Sequence, residues 1–214
     1  MGKVFADISI SLDGFVAGPA PTLADPLGSG GMQLHEWAFR LAAWRAPHGL
    51  EGGETDDTST LVEEALAATG AVVMGRKMFS GGAGPWDADE NRERWWGDDP
   101  PFHVPVFVLT HHAREPLPKR GGTSFTFVTA GLAAAVELAR AAAGDRAVSI
   151  AGGADVVQQG LAAGLLDELQ VHVAPVLLGS GTQLFAGARP QPLQILGTVA
   201  SPFATHIRYR LDAG

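Results

Sequence analysis

Three short stretches join apolar runs to glycines, cations or imidazoles, a combination suited to binding phosphate. In Val72-Val73-Met74-Gly75-Arg76-Lys77 an apolar strand ends at a glycine, and two cations open the next helix. Free backbone N–H groups and the positive end of the helix dipole attract anions at such a place. Glycine lets the backbone approach, and arginine can fork onto a phosphate. A turn carrying surface charge is the simpler reading of the same residues. In Val148-Ser149-Ile150-Ala151-Gly152-Gly153-Ala154-Asp155 a strand feeds a helix through adjacent glycines. These permit unusual dihedrals and close backbone approach, although a tight turn uses the same pair, and the Gly-x-Gly-x-x-Gly fingerprint is absent. In Val106-Phe107-Val108-Leu109-Thr110-His111-His112 a strand ends in a threonine and two histidines. They could meet a phosphate or ribose, or form a surface histidine pair. Loops beyond the carboxyl ends of parallel strands line the ligand crevice of open α/β sheets. Three such junctions on one sheet edge would suit a long phosphorylated ligand such as a dinucleotide.

A second set of residues could carry protons. Side chains alternate across a strand. Over Val4–Ser11, then, Asp7 shares a face with Phe5, Ser9 and Ser11, opposite Val4, Ala6, Ile8 and Ile10. In a central strand Asp7 would be a buried carboxylate, which is costly without a partner. Over Glu168–Ala174 the same alternation sets Gln170, His172 and Ala174 opposite Leu169, Val171 and Val173. Asp7 and His172 are therefore candidates for substrate recognition or proton delivery; the alternative is a satisfied structural pair, or one group facing solvent. The seven histidines lack His-Glu-x-x-His spacing, so no metal site is expected. The five tryptophans are expected chiefly to pack loops on the core.

The elements that must position these residues alternate between strand and helix. Strands are predicted over Lys3–Ser11, Ala71–Met74, Val104–Thr110, Ser124–Thr129, Ala147–Ala151 and Leu169–Leu178, the last interrupted by Pro175. Helices are predicted over Gln33–Arg45, Ser59–Thr69 (capped by Asp57 or Thr58), Leu132–Ala143 and Asp155–Ala163, with a helical turn over Arg76–Ser80. Leu193–Ala200 and Ala204–Leu211 read as an antiparallel pair. The pattern predicts βαβ units on a largely parallel sheet with an antiparallel finish, in one domain over residues 1–214.

Composition removes whole classes of function. The 214 residues are 46% hydrophobic and 18% charged, which suits a folded domain. There is no cysteine, which excludes disulfides, cysteine–zinc sites, iron–sulfur clusters and thiol catalysis. A formal net charge of −8 argues against general nucleic-acid binding. No apolar run is long enough to span a membrane, and the start matches neither a signal peptide nor a myristoylation pattern. The expectation is a cytoplasmic protein.

The motifs together resemble the dihydrofolate reductase-like superfamily, and within it the reductase domain of riboflavin biosynthesis, the C-terminal domain of the bifunctional deaminase–reductase. The matching stretches are Ser11-Leu12-Asp13-Gly14-Phe15-Val16-Ala17, Val73-Met74-Gly75-Arg76, Val108-Leu109-Thr110, Ile150-Ala151-Gly152-Gly153 and Pro175-Val176-Leu177-Leu178-Gly179-Ser180-Gly181, in the family's order. Residues 19–56 and 80–103 match poorly. The resemblance implies a three-layer αβα sandwich around a mostly parallel mixed sheet with an antiparallel C-terminal hairpin. It implies NADPH, with Gly75, Arg76 and Lys77 holding phosphates and Arg76 reading the extra one. Thr110 and His111 would lie near the adenosine. Gly152 and Gly153, joined by a cis peptide, would line the pyrophosphate and nicotinamide with Ala154, Asp155 and Val156, the Asp155 side chain pointing away. Val16 and Ala17 would flank the nicotinamide, and Asp7 and His172 would face the substrate pocket. The helix carboxylate of folate reductases falls near Leu34 or His35, so folate reduction is not expected. The implied activity is hydride transfer to a pyrimidine- or pteridine-like ring, or to a carbonyl or imine, by a homodimer. A non-catalytic nucleotide- or small-molecule-binding protein on the same fold is the alternative.

Overall fold

The computed structural model describes residues 2–82, 84–93 and 95–211. Eleven strands and six helices are found there. The strands are β1 (Val4–Ser11), β2 (Phe15–Ala17), β3 (Thr69–Gly75), β4 (Pro105–Leu109), β5 (Leu117–Pro118), β6 (Ser124–Val128), β7 (Ala147–Gly152), β8 (Glu168–Ala174), β9 (Thr182–Gln183), β10 (Leu193–Ala200) and β11 (Thr205–Leu211). The helices are α1 (Glu36–Phe39), α2 (Ala42–Arg45), α3 (Asp57–Ala68), α4 (Arg76–Ser80), α5 (Leu132–Ala143) and α6 (Ala154–Ala162).

Nine strands form one sheet in the order β10-β11-β8-β1-β7-β3-β4-β6-β5. The run β8-β1-β7-β3-β4-β6 is parallel throughout, while β11, β10 and β5 add antiparallel edges. This is the predicted mixed sheet with its antiparallel C-terminal hairpin. The central strands need cover on both faces, and their sequences show it: β3 is buried over six of its seven residues.

One face is sealed by α5 and α6. Ala135, Val136 and Ala139 of α5 and Val156 and Val157 of α6 meet Val73, Val148 and Ile150 in the larger core cluster. The small side chains of α5 let that helix sit close to the sheet. The opposite face is covered in two separate parts. Phe79 of α4 and Trp86 pack on Val72, Met74, Val106, Val108 and Phe125. Trp37, Ala38 and Leu41 form a second, smaller cluster with Ala204, next to α3. Asp7 of β1, with Ser149 and Ala151 of β7, is only half-buried between those two covers, so the face opens there into a cleft.

The predicted helix over residues 33–45 is instead a 3₁₀ turn followed by α1 and α2. The break falls at Leu41, whose extended backbone bridges Glu54. Tertiary pairing outweighs the helical spacing there. The cap of α3 is Asp56, which accepts from the Ser59 amide at 2.9 Å, one residue before the predicted position. Strand β8 ends at Ala174, before Pro175. It lies inside the sheet, so most of the predicted apolar strand 169–178 offers no surface to a second copy.

Candidate active site

The three junctions singled out in the sequence end on neighbouring parallel strands, β7, β3 and β4. Gly75 and the Gly152–Gly153 pair come together: a Cβ on Gly75 would lie 3.0 Å from Val156 Cγ2 and 3.7 Å from the Gly153 nitrogen. A side chain at Gly75 would therefore crowd the start of α6. Gly152 has φ +119°, which favours glycine, and the Gly152–Gly153 peptide is cis. Gly153 is exposed, with open space where its Cβ would be. The first amides of α6, at Ala154 and Asp155, precede the internal helix ladder and have no backbone partner among the described residues. Asp155 is exposed and accepts from Gln159 on its own helix at 2.8 Å, so its charge stays out of the cradle. This open, glycine-lined backbone edge fits a pyrophosphate.

Thr110 is buried at the end of β4, and its hydroxyl accepts from the His112 amide at 3.1 Å. His111 is exposed beside it. The His112 carbonyl accepts from the Trp86 indole at 2.7 Å, which ties the poorly matched 80–103 segment to this corner. Lys77 is exposed and has no ion-pair partner among the described residues.

Arg76 is placed otherwise than expected. The arginine that was to fork onto an extra phosphate is turned onto a carboxylate of its own chain. Its guanidinium meets Asp89 and Ser80 and lies 3.6 Å from the centroid of the Trp86 ring. Ser80 in turn donates to Asp89 at 2.6 Å. Burial pushes the Asp89 carboxyl up, but the bonds from Ser80 and Arg76 outweigh it and hold the group below the usual carboxylate range. Asp89 lies in the poorly matched 80–103 segment, and no periodic pattern in the sequence ties it to Arg76.

The loop after β1 is locked to the turn after β8. The Asp13 carboxylate accepts from the Ser11 hydroxyl and from the amides of Gly179 at 2.7 Å and Leu178 at 3.1 Å. The Ser11 hydroxyl bond leads in holding Asp13 below its ordinary value. Two stretches far apart in sequence thus become one unit, completed by the β2–β9 pair. Val16 packs into the core and Ala17 is half-buried, so β2 presents backbone rather than the Val16 side chain.

The proton-carrying candidates do come together. Asp7 and His172 face the same side from adjacent strands, and His172 Nε2 meets Asp7 Oδ1. Gln170 donates to Asp7 Oδ2 at 3.2 Å. The side chain of Asp7 is 26% exposed, that of His172 only 3%. The carboxylate is thus the member of the pair that reaches the cleft. By the register Ala6↔Ile150, Asp7 stands level with Ala151, one residue short of Gly152.

Further side chains complete the group. His206 lies opposite His172 across β11 and β8, with Nδ1 2.6 Å from His172 Nδ1. Trp37 covers both rings, with centroids 4.4 and 4.7 Å away, and donates its indole N–H to Ser9 at 3.0 Å. Burial, and then the nearby His172, push His206 down to about 4. Burial, and then His172, also lower His35. The strand alternation that exposed Asp7 and His172 also puts His206 on the same face as Ala204 and Arg208, but nothing local ties it to a site 34 residues away. Glu36 is exposed and Leu34 fully buried, and neither side chain bonds to the Asp7–His172 pair. Among the described residues no group of three or more histidine or acidic side chains is arranged to hold a metal ion.

The RibD C-terminal domain family model matches residues 2–202. The chain belongs to the RibD C-terminal domain family. Its fold is that of solved relatives across the whole chain. A protein of Shewanella sp. PV-4 provisionally assigned to riboflavin biosynthesis is 21% identical, with a TM-score of 0.63, and the alignment covers 98% of this chain and 99% of that one. A pyrimidine reductase-like protein of Corynebacterium diphtheriae is 14% identical with a TM-score of 0.57, over 100% and 93%. The bifunctional deaminase/5-amino-6-(5-phosphoribosylamino)uracil reductase of Thermotoga maritima is 15% identical with a TM-score of 0.56, over 99% of this chain but 57% of that one. No curated protein sequence matches significantly. The fold of this RibD-family chain is therefore dihydrofolate reductase-like, and its family supports an oxidoreductase. No helix among the described residues is long and apolar enough to cross a membrane.

Proposed function

We propose that this RibD-family protein is an NADPH-dependent reductase acting on a small pyrimidine- or pteridine-like ring, or on a related carbonyl or imine. The observation that carries the reading is the adjacency of two features. The glycine cradle of Gly75, Gly152 and Gly153 ends on strands β3 and β7. The Asp7–His172 pair faces a cleft one strand away. A bound nicotinamide supplies the hydride. The chain's residues supply position and a proton. Gly153 and the first amides of α6 hold the pyrophosphate, and Lys77, exposed and without an ion pair among the described residues, offers a cation for a further phosphate. His111 and Thr110 border the adenosine side. The Asp7 carboxyl, backed by His172, handles the proton that must accompany hydride addition to a C=N or C=O group.

The buried Leu34, near where folate reductases carry a helix carboxylate, favours a second reading, a binding protein without turnover. One experiment separates the two: titrate NADPH while following nicotinamide fluorescence, then follow NADPH oxidation over a panel of pyrimidine and pteridine compounds. Saturable binding with turnover of at least one ring supports the reductase. Binding without turnover of any supports the second reading, and no binding at all rejects both.

A homodimer is part of the same proposal. The exposed edge strand β10 carries Leu193 and Ile195, the latter 63% exposed. Such an edge is open to pairing with a second copy. Light scattering at micromolar concentration checks it, and a monomeric mass overturns it.

A further inference from the structure

We propose that His206 is a positioning residue that fixes the tautomer of His172 and thereby keeps Asp7 as an anion facing the cleft. The inference deepens the reductase reading, on which the role of Asp7 rests. It starts from a count of hydrogens. His172 uses both ring nitrogens, Nε2 toward Asp7 and Nδ1 toward His206 Nδ1 at 2.6 Å. Two ring nitrogens that close must share one hydrogen, so one ring donates and the other accepts. His206 Nε2 is buried and has no partner among the described residues.

Two arrangements of the neutral rings satisfy this geometry. In the first, His206 donates from Nδ1, His172 accepts at Nδ1, and His172 donates from Nε2 to an Asp7 carboxylate. The orphaned His206 Nε2 is then a bare acceptor. In the second, His206 carries its hydrogen on Nε2 and accepts at Nδ1. His172 then donates from Nδ1, and its Nε2 must accept from a protonated Asp7. That arrangement buries an unpaired N–H, and orphaned buried donors are the rarer defect in folded proteins. The first is therefore the resting state. Burial holds His206 neutral, which keeps a second proton off it.

The surroundings reinforce the choice. Trp37 packs against both rings, tilted on His172 and edge-on to His206, and is itself anchored on Ser9, so neither imidazole can turn without displacing the indole. The charged and titratable groups acting on the pair are Asp7 on β1, Asp56 before α3 and His35 before α1. Asp7 Oδ2 has one protein donor, Gln170, and a carboxylate oxygen can accept a second. A substrate that offers a ring N–H or amino hydrogen is thus the one this fixed anion recognises. Interchange of the two arrangements moves hydrogens within the chain and turns Asp7 from acceptor to donor. The second arrangement holds one proton more than the first, taken up at His206 Nε2, and that added proton is what Asp7 can then deliver to substrate.

The test uses the complete chain, uniformly labelled with ¹⁵N, and reads the imidazole nitrogens by NMR before any substrate is involved. The expected wild-type pattern is His172 protonated at Nε2 and bare at Nδ1, with His206 the reverse. His206→Phe keeps a ring under Trp37 but removes the donor, and should leave His172 in mixed tautomers. His206→Asn restores a donor near the old Nδ1 position and should restore the Nε2–H tautomer. With a turned-over substrate, His206→Phe should lower kcat roughly ten- to hundredfold, with NADPH affinity unchanged and partial rescue in His206→Asn. A wild-type His172 protonated at Nδ1 and bare at Nε2 overturns the inference. So does a His206→Phe variant that keeps the wild-type His172 tautomer. The expected tautomers together with full turnover in Asp7→Asn would uphold the hydrogen-bond relay but remove Asp7 from the reaction, which is failure of the reductase reading at that residue alone.

Discussion

Asp7 and Asp89 lie on the same side of the sheet, and each is held by a nitrogen base and a second donor. Asp7 has His172 and Gln170; Asp89 has Arg76 and Ser80. Their surroundings differ in two respects. The Asp7 side chain is 26% exposed at the cleft, whereas that of Asp89 is 3% exposed beneath the aromatic cover. The partner of Asp7 is an imidazole whose ring nitrogens can donate or accept, and the guanidinium beside Asp89 only donates. A carboxylate beside a group that can donate or accept, and with a path to solvent, can take part in proton transfer. One sealed against a permanent cation can only hold structure. Arg76, expected from the sequence to read a phosphate, is the cation of that sealed pair.

The largest effect expected from this contrast is at Asp7. Asp7→Asn is nearly isosteric and should keep the fold and leave NADPH affinity within a few-fold. Turnover should fall roughly 10²–10⁴-fold if the carboxyl handles the proton. A fall in substrate affinity with turnover intact would make Asp7 a recognition group instead. The matching change at the other pair, Asp89→Ala, should act on stability. It strands a guanidinium whose side chain is only 10% exposed, and breaking a buried pair costs about 3–5 kcal/mol. Urea melts would show it. An Asp89→Ala protein as stable as wild type would mean that Arg76 finds water or another partner.

The same contrast explains what the sequence could show. Backbone requirements leave local marks: Gly75 and Gly152–Gly153 stand at apolar strand ends, and the junctions fell where the register places them. Alternation put Asp7 and His172 each on a polar strand face, and the parallel pairing of β1 with β8 brings those faces together. The relay's far end was not legible, because His206 joins through antiparallel pairing of β11 with β8 and through Trp37, on an irregular segment that the helical spacing disguised. Nor was the fate of Arg76, since Asp89 sits on a loop whose charges resemble solvated ones until Trp86 packs over them. Side-chain partners that meet only through tertiary contacts leave no periodic signal.

A smaller effect follows from pH. His206 is lowered from 6.5 to about 4 chiefly by burial, with the nearby His172 second. Between those values the unfolded chain binds a proton at this residue and the folded chain does not. Stability contributed by His206 is therefore fully present above about pH 6.5 and is lost as pH falls toward about 4. The expected loss over that window is on the order of 3 kcal/mol. It should be missing in His206→Phe, so urea midpoints of the two proteins should converge on acidification. Parallel pH profiles for both would show that His206 is not the group responsible. Arg76–Asp89 should add nothing in this window, since Asp89 is held below the ordinary carboxylate range.

The smallest expected effect decides which cation reads the nucleotide. Arg76 is already neutralised by Asp89, so a phosphate could reach it only by displacing a buried carboxylate. Lys77 is the next residue, exposed and without an ion pair among the described residues. An extra phosphate carries close to two negative charges, and a charge-assisted bond to it contributes about 1.5–3 kcal/mol, the lower end where solvent screens it. Lys77→Ala should therefore weaken NADPH by about tenfold more than NADH. Arg76→Ala should weaken both alike, through loosening of the α4–Trp86 corner, and should lower the melting temperature as Asp89→Ala does. Fluorescence titrations of both nucleotides against both variants at two salt concentrations make the comparison, because only a direct phosphate contact should fade with salt. A selective loss of NADPH in Arg76→Ala would mean that Asp89 lets go of the guanidinium when the nucleotide binds, and the sealed pair would then be part of the binding site after all.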